Sequence, residues 1–98
     1  MHLKDCREKI DAIDAEILRL LNRRAGLSKQ IGQIKSRAGL PVIDLHREDI
    51  ILRRVVRNSA GEISPDAVAR IYGEILAESR RIQIAIDATG PTVEEVYG

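Results

Sequence analysis

The chain has 98 residues, a formal net charge of +1 and 44% hydrophobic residues, which is enough for one domain. Charge so near balance leaves no footprint for nucleic acid or for a membrane surface, and no apolar run approaches a membrane span of about 18 residues. There is no Phe or Trp to stack on bases or sugars, and the single Cys excludes an internal disulfide and fits a reducing cytoplasm. Residues 1–9 are charged rather than apolar, so no secretory leader is expected. His2, His46 and Cys6 stand at unrelated spacings and form no metal motif. No glycine-rich phosphate loop occurs.

The first predicted element dominates the chain. Leu3, Cys6, Ile10, Ile13, Ile17, Leu20, Arg24, Leu27, Ile31, Ile34 and Ala38 recur every three or four residues, the seam of one helix over residues 3–38. Such a helix spans roughly 54 Å, against a diameter of roughly 33 Å for a compact domain of this size. It overhangs any globule the chain could make alone, and the seam asks for a partner along its whole length. A second copy is the simplest one. Gly39 and Pro41 end the helix, glycine by taking the left-handed turn and proline by blocking continuation. Asp44 is the expected N-cap of a second helix over 45–57, whose core side holds Ile50, Ile51, Leu52, Val55 and Val56. Ser64 caps a third helix with Pro65 in its first position. Its seam reads Val68, Ile71, Tyr72, Ile75, Ser79, Ile82 and Ile86, and it stops near Gly90 and Pro91. Residues 92–98 lack a period and read as a short C-terminal tail beyond a helical domain of 1–91. The fold class is all-α: a three-helix subunit with one very long N-terminal helix.

Polar residues interrupt these apolar faces. Arg24 stands where the seam calls for Leu, and a buried guanidinium costs several kcal/mol unless an anion pairs with it. Either the helix frays there or an anion from elsewhere fills the gap. Lys35 follows eleven residues later, close to three turns, and so points to nearly the same face. The two Cα atoms are about 16 Å apart by helical rise, near enough for the side chains to bracket a small dianion. Taken alone, Lys35 reads as a solvated lysine at a helix C-terminus and Arg24 as a snorkelling arginine. Asp44, Arg47 and Glu48 share one side of the second helix, where a cap and a surface ion pair would also explain them. Ser79 and Gln83 are one turn apart on the third helix; a serine bonded back to its own helix and a solvated glutamine would serve as well. Cys6 reads as a small buried hydrophobe and His46 as a surface residue. Arg7 lies about 25 Å along the axis from Arg24, so within one chain they cannot share a small ligand. Together these are cations, acceptors and neutral donors set into helical faces, with no nucleophile–base pair. A site of that kind binds and shapes a small anion rather than attacking it.

The ordered set Arg7, Arg24, Lys35, Asp44-x-x-Arg47-Glu48 and Ser79-x-x-x-Gln83 resembles the all-helical, AroQ-type chorismate mutases. The runs 7–14, 20–24 and 41–44 agree with it, and the likeness covers residues 7–83. His46 departs from the family pattern, in which an acidic residue is frequent at that place. The resemblance implies an intertwined homodimer with two shared sites that rearranges chorismate to prephenate on the way to Phe and Tyr. It implies no cofactor and no metal. It assigns Arg24, and Arg7 from the other subunit, to the substrate carboxylates, and Lys35 and Gln83 to the ether oxygen. Glu48 takes the ring hydroxyl with Asp44 and Arg47 beside it, and Ser79 adds a carboxylate contact.

Two rival readings share these features. The isochorismate–pyruvate lyase branch of the same fold lacks the acidic pair corresponding to Asp44 and Glu48, which favours the mutase. A non-catalytic helical dimerisation or regulatory module explains the seam but not Arg24, Lys35, Ser79 and Gln83 together.

Overall fold

The structure, a computed structural model, describes residues 2–89. Three helices follow in chain order: α1 (Leu3–Ala38), α2 (Leu45–Asn58) and α3 (Pro65–Thr89). The fold is all-α, with no strand among the described residues. The expected stop at Gly90 and Pro91, and the tail at 92–98, lie outside the described residues.

The helix ends follow from local chemistry. Gly39 takes φ 68°, in the left-handed region. This turns the chain so that the Leu40 N–H bonds back to the Lys35 carbonyl at 2.9 Å. The Asp44 carboxylate accepts the Arg47 N–H at 3.0 Å, and the Ser64 hydroxyl accepts the Ala67 N–H at 3.2 Å. Each side chain thereby satisfies an orphan donor in the first turn of its helix.

The helix α3 is the centre of the packing: it touches both α1 and α2, and among the described residues the latter two do not pack on one another. It runs parallel to the C-terminal half of α1, with Ser79 beside Ser28 and Gln83 beside Gly32. Against α2 it runs antiparallel, with Arg80 meeting Glu48. The molecule measures 62 × 27 × 15 Å with a radius of gyration of 17.7 Å. A compact chain of this length would have one near 13 Å. Among the described hydrophobic side chains only Ile51 and Leu76 are buried.

That burial corrects part of the seam reading. On α1 the face against α3 is not the apolar seam but a stripe of small residues beside it, Ala25, Ser28 and Gly32. A Cβ on Gly32 would stand 3.1 Å from the Gln83 Cα, so glycine is what lets the two backbones approach there. The seam residues Ile10, Ile13 and Ile17 remain 55, 57 and 47% exposed, and Ile34 62%. Cys6 is half-buried rather than buried. On α3, Leu76 lies off the predicted seam because that helix serves two neighbours: Ile75 and Ile82 face α1, while Leu76 and Ile51 share the side toward α2.

Candidate active site

The three helices enclose a cleft of about 370 Å³, within the usual range for a small-molecule site. It gathers Arg24 and Lys35 from α1, Asp44, Arg47 and Glu48 from the start of α2, and Ser79 and Gln83 from α3. Leu27, Ile31 and Ile51 supply apolar wall. Seven of the eight residues singled out in the sequence therefore line one cavity. The eighth, Arg7, does not: it is exposed on the far part of α1. His46 is also exposed and outside the lining.

The α1 helix continues unbroken through Arg24. Its guanidinium donates to the Ser79 hydroxyl, a neutral partner, and Arg24 enters no ion pair among the described residues. The Ser79 oxygen also lies 2.9 Å from the Ser28 hydroxyl. Ser28 is 4% exposed and was not a sequence candidate. Ser79 is thus tied across to α1 rather than bonded back along its own helix. Its hydroxyl is held from two sides, and it holds the guanidinium in place.

Lys35 sits in the last turn of α1, beside the Gly39 reversal that brings Val42 back over it. Its ammonium donates to the Val42 carbonyl and to the Gln83 Oε1, each at 2.9 Å. An ammonium only donates, so the atom it meets on Gln83 is the carbonyl oxygen. The Gln83 amide is thereby oriented, with its N–H₂ turned away from Lys35. Two of the three ammonium hydrogens are used, and one is left for a ligand.

Glu48 makes its ion pair across helices, with Arg80 on α3, through Nε–Oε2 at 3.1 Å and Nη2–Oε1 at 2.8 Å, rather than within the surface of α2. The Arg80 guanidinium holds the Glu48 carboxyl below the usual carboxylate range; partial burial and Asp44 oppose this, and Lys35 assists it. Arg80 was missed because adjacent arginines on a helix read as solvated. Its neighbour Arg81 does pair with Glu78 at the surface, three residues back on the same helix. Only the tertiary fold separates the two.

The cleft holds four cations, Arg24, Lys35, Arg47 and Arg80, against two carboxylates, Asp44 and Glu48. The formal surplus of two positive charges matches a small dianion. Among the described residues no three of His, Cys, Asp or Glu converge as a metal site. No helix among them is long and apolar enough to cross a membrane.

Fold and cleft together define an all-helical protein with a cationic pocket of small-molecule size. Residues 6–84 match the family described as chorismate mutase type II. The chain is 46% identical over 79 residues to a bifunctional chorismate mutase/prephenate dehydratase of Aquifex aeolicus (strain VF5), covering 76% of this chain and 22% of that one. It is 42% identical over 53 residues to a chorismate mutase of Methanocaldococcus jannaschii, covering 54% of each. The solved chorismate mutase of Thermus thermophilus superposes in form I with a TM-score of 0.77 at 30% identity, over 79% of this chain and 96% of that chain. In form II the TM-score is 0.81 at 28% identity, over 84% and 93%. The chain belongs to the chorismate mutase type II family. It spans under a quarter of the length of the bifunctional relatives it matches.

Proposed function

We propose that the chain rearranges chorismate to prephenate, as a two-fold dimer in which each cleft is completed by Arg7 of the partner subunit. The observation that carries this is the cleft itself. Arg24, Lys35, Glu48 and Gln83 converge on one cavity whose surplus charge suits a dicarboxylate. The reaction is a one-step pericyclic shift and needs no nucleophile. The substrate must be held in a compact chair with the reacting carbons close together. As the C–O bond lengthens, the ether oxygen gains negative charge. The spare ammonium hydrogen of Lys35 and the Gln83 N–H₂ are fixed donors for it, stabilising the transition state more than the ground state. Arg24, steadied by Ser79, takes one carboxylate, and the partner's Arg7 takes the other. Glu48 accepts the ring hydroxyl, with Asp44 and Arg47 at its side.

The dimer is supported by what the single chain leaves in water. Burying one Ile or Leu side chain is worth about 1.5–3 kcal/mol. The run Leu3, Ile10, Ile13, Ile17 and Leu20 stays 47–65% exposed on one helix face. A second copy laid along it would bury that face and carry its own Arg7 toward the cleft. A cytoplasmic location accords with the free thiol of Cys6.

Purified protein incubated with chorismate should consume it and yield prephenate, followed by the loss of chorismate absorbance. Parallel incubation with isochorismate tests the lyase alternative. Pyruvate from isochorismate with no prephenate from chorismate would overturn the mutase reading, and inertness toward both would favour a dimerisation module.

A further inference from the structure

We propose that Arg80 is a positioning residue that acts through Glu48, holding the carboxylate by both oxygens and cancelling its charge, so that Glu48 can accept the substrate's hydroxyl without repelling a dianion. The proposal rests on the reading that the cleft takes chorismate.

The geometry is a fork. Arg80 Nε and Nη2 meet Glu48 Oε2 and Oε1 at 3.1 and 2.8 Å, joining α3 to the first turn of α2. Parallel N–H···O bonds of this kind fix the plane of the carboxylate as well as its position. The Glu48 side chain is 20% exposed and that of Arg80 35%, so the pair is partly shielded from solvent screening. The adjacent pair Arg81–Glu78, 66 and 55% exposed, joins nothing but one turn of α3. A carboxylate has about four acceptor positions, and the fork uses two. The remainder can take a hydroxyl hydrogen.

Charge gives the second reason. A bare carboxylate in the cleft would repel a substrate carrying two of its own. The groups around Glu48 are Arg80 from α3, Lys35 from α1, and Asp44 and Arg47 from its own helix and N-cap. Of these only Arg80 bonds the carboxylate directly. Lys35 is already engaged by Val42 and Gln83. Without Arg80, Glu48 would face Asp44 with no bonded counter-charge, and its carboxyl would lose the main influence that holds it below the usual carboxylate range.

The test is a double-mutant cycle read with a pH profile, after circular dichroism and sedimentation show folded dimers. Arg80→Ala should lower kcat/KM about ten- to thirtyfold. It should also move the acid limb of kcat/KM to higher pH, because the guanidinium that lowers the Glu48 carboxyl is gone. Arg80→Lys, which keeps the charge but not the fork, should restore most of the limb and only part of the rate. In a Glu48→Gln background, Arg80→Ala should cost less than about twofold. An equal cost in both backgrounds would mean that Arg80 touches substrate itself, and would overturn the proposal. An unchanged acid limb in Arg80→Ala would overturn it too. The carboxyl carbon of Glu48, titrated by NMR in parent and Arg80→Ala, separates this from the function reading. If the parent turns over no chorismate, the function reading falls, while the NMR midpoint still decides whether Arg80 governs Glu48.

Discussion

The two halves of α1 share one apolar period but live in different surroundings. From Arg24 onward the helix lies against α3, and it carries Arg24, Ser28 and Lys35 into the cleft. Before Leu21 every described residue of the helix is exposed except Cys6, and Ile13 is 57% exposed. The C-terminal half is organised by its own chain through small residues and polar bonds. Among the described residues the N-terminal half buries none, and its Lys4–Glu8 and Glu16–Arg19 ion pairs are local to the helix. The same hydrophobic pattern thus does two jobs, and the period alone does not say which. In one half the cleft groups are built in; in the other, on the proposed function, the means of association and the cation owed to the partner's cleft, Arg7, are held out from the subunit.

The largest effect should come from the built-in half. Lys35→Ala should lower kcat about 10²–10³-fold, the usual loss for one preorganised donor, with the dimer still folded. Retention of more than about a tenth of kcat/KM, a loss below about 1.4 kcal/mol, would remove Lys35 from the ether oxygen.

Joining the two halves is the next test. Arg7→Ala and Arg24→Ala homodimers should each be nearly inactive. Co-refolded in equal amounts they form about half mixed dimers, in which one site lacks both arginines and the other lacks neither. The mixture should recover about a quarter of parental activity per chain, from the statistics of a two-fold dimer. Mixed dimers confirmed by mass spectrometry but inactive would place Arg7 within its own subunit, and active Arg7→Ala homodimers would place it outside the chemistry; either way the N-terminal half would lose its proposed functional role.

Gln83→Glu probes the bond between α1 and α3. Glutamine donates at every pH, whereas a glutamate donates only when protonated. Lys35 stands 2.9 Å from the Gln83 oxygen and would hold a carboxyl there ionised. Activity should therefore be lost at neutral pH and return only as pH falls through that lowered pKa. A profile as flat as the parent's between about pH 5 and 8 would take Gln83 away from the developing charge.

What could be read from the chain follows the range of each interaction. The ends of all three helices are written in neighbouring residues: Gly39 past α1, Asp44 before α2, Ser64 and Pro65 before α3. Caps act within four residues, so they are visible in one dimension. Arg24 and Ser79 were also visible, because a cation or hydroxyl on an apolar seam breaks a period. Lys35, Asp44, Arg47, Glu48 and Gln83 stood out only through the family resemblance, since a solvated face, a cap and a surface ion pair would explain their positions equally well. Ser28, Gly32 and Arg80 were not visible at all. Ser28 and Gly32 are small and lie one row beside the seam, where hydrophobicity carries no signal. Arg80 differs from Arg81 only in which partner the fold brings to it. Leu76 was missed because one helix packing on two neighbours has two faces, and a single seam describes only one.

The smallest effect should come from the closest approach of α1 to α3, at Gly32 inside the built-in half. Gly32 faces Gln83 so closely that an added methyl would meet its Cα at 3.1 Å and its Cγ at 3.4 Å, with the Ile86 Cβ also at 3.4 Å. One of those atoms is backbone, so α3 itself would have to give way by a few tenths of an ångström. Alanine favours the helix over glycine by about 1 kcal/mol, while overpacking costs about 1–3 kcal/mol. The net is a loss of about 0–2 kcal/mol, so the melting temperature of Gly32→Ala should be unchanged or fall by several degrees. The chemistry is less forgiving, because a displacement of about 1 Å can cost 10²-fold. A shift of a few tenths should lower kcat/KM about three- to tenfold by moving Gln83 against Lys35. Gly26→Ala is the control on the same helix: nothing lies within 4 Å of its added methyl, so it should gain up to about 1 kcal/mol and keep the parental rate. If Gly32→Ala also kept the parental rate, the close approach of α1 and α3 would be a matter of packing alone, and the Lys35–Gln83 geometry would have to be set elsewhere.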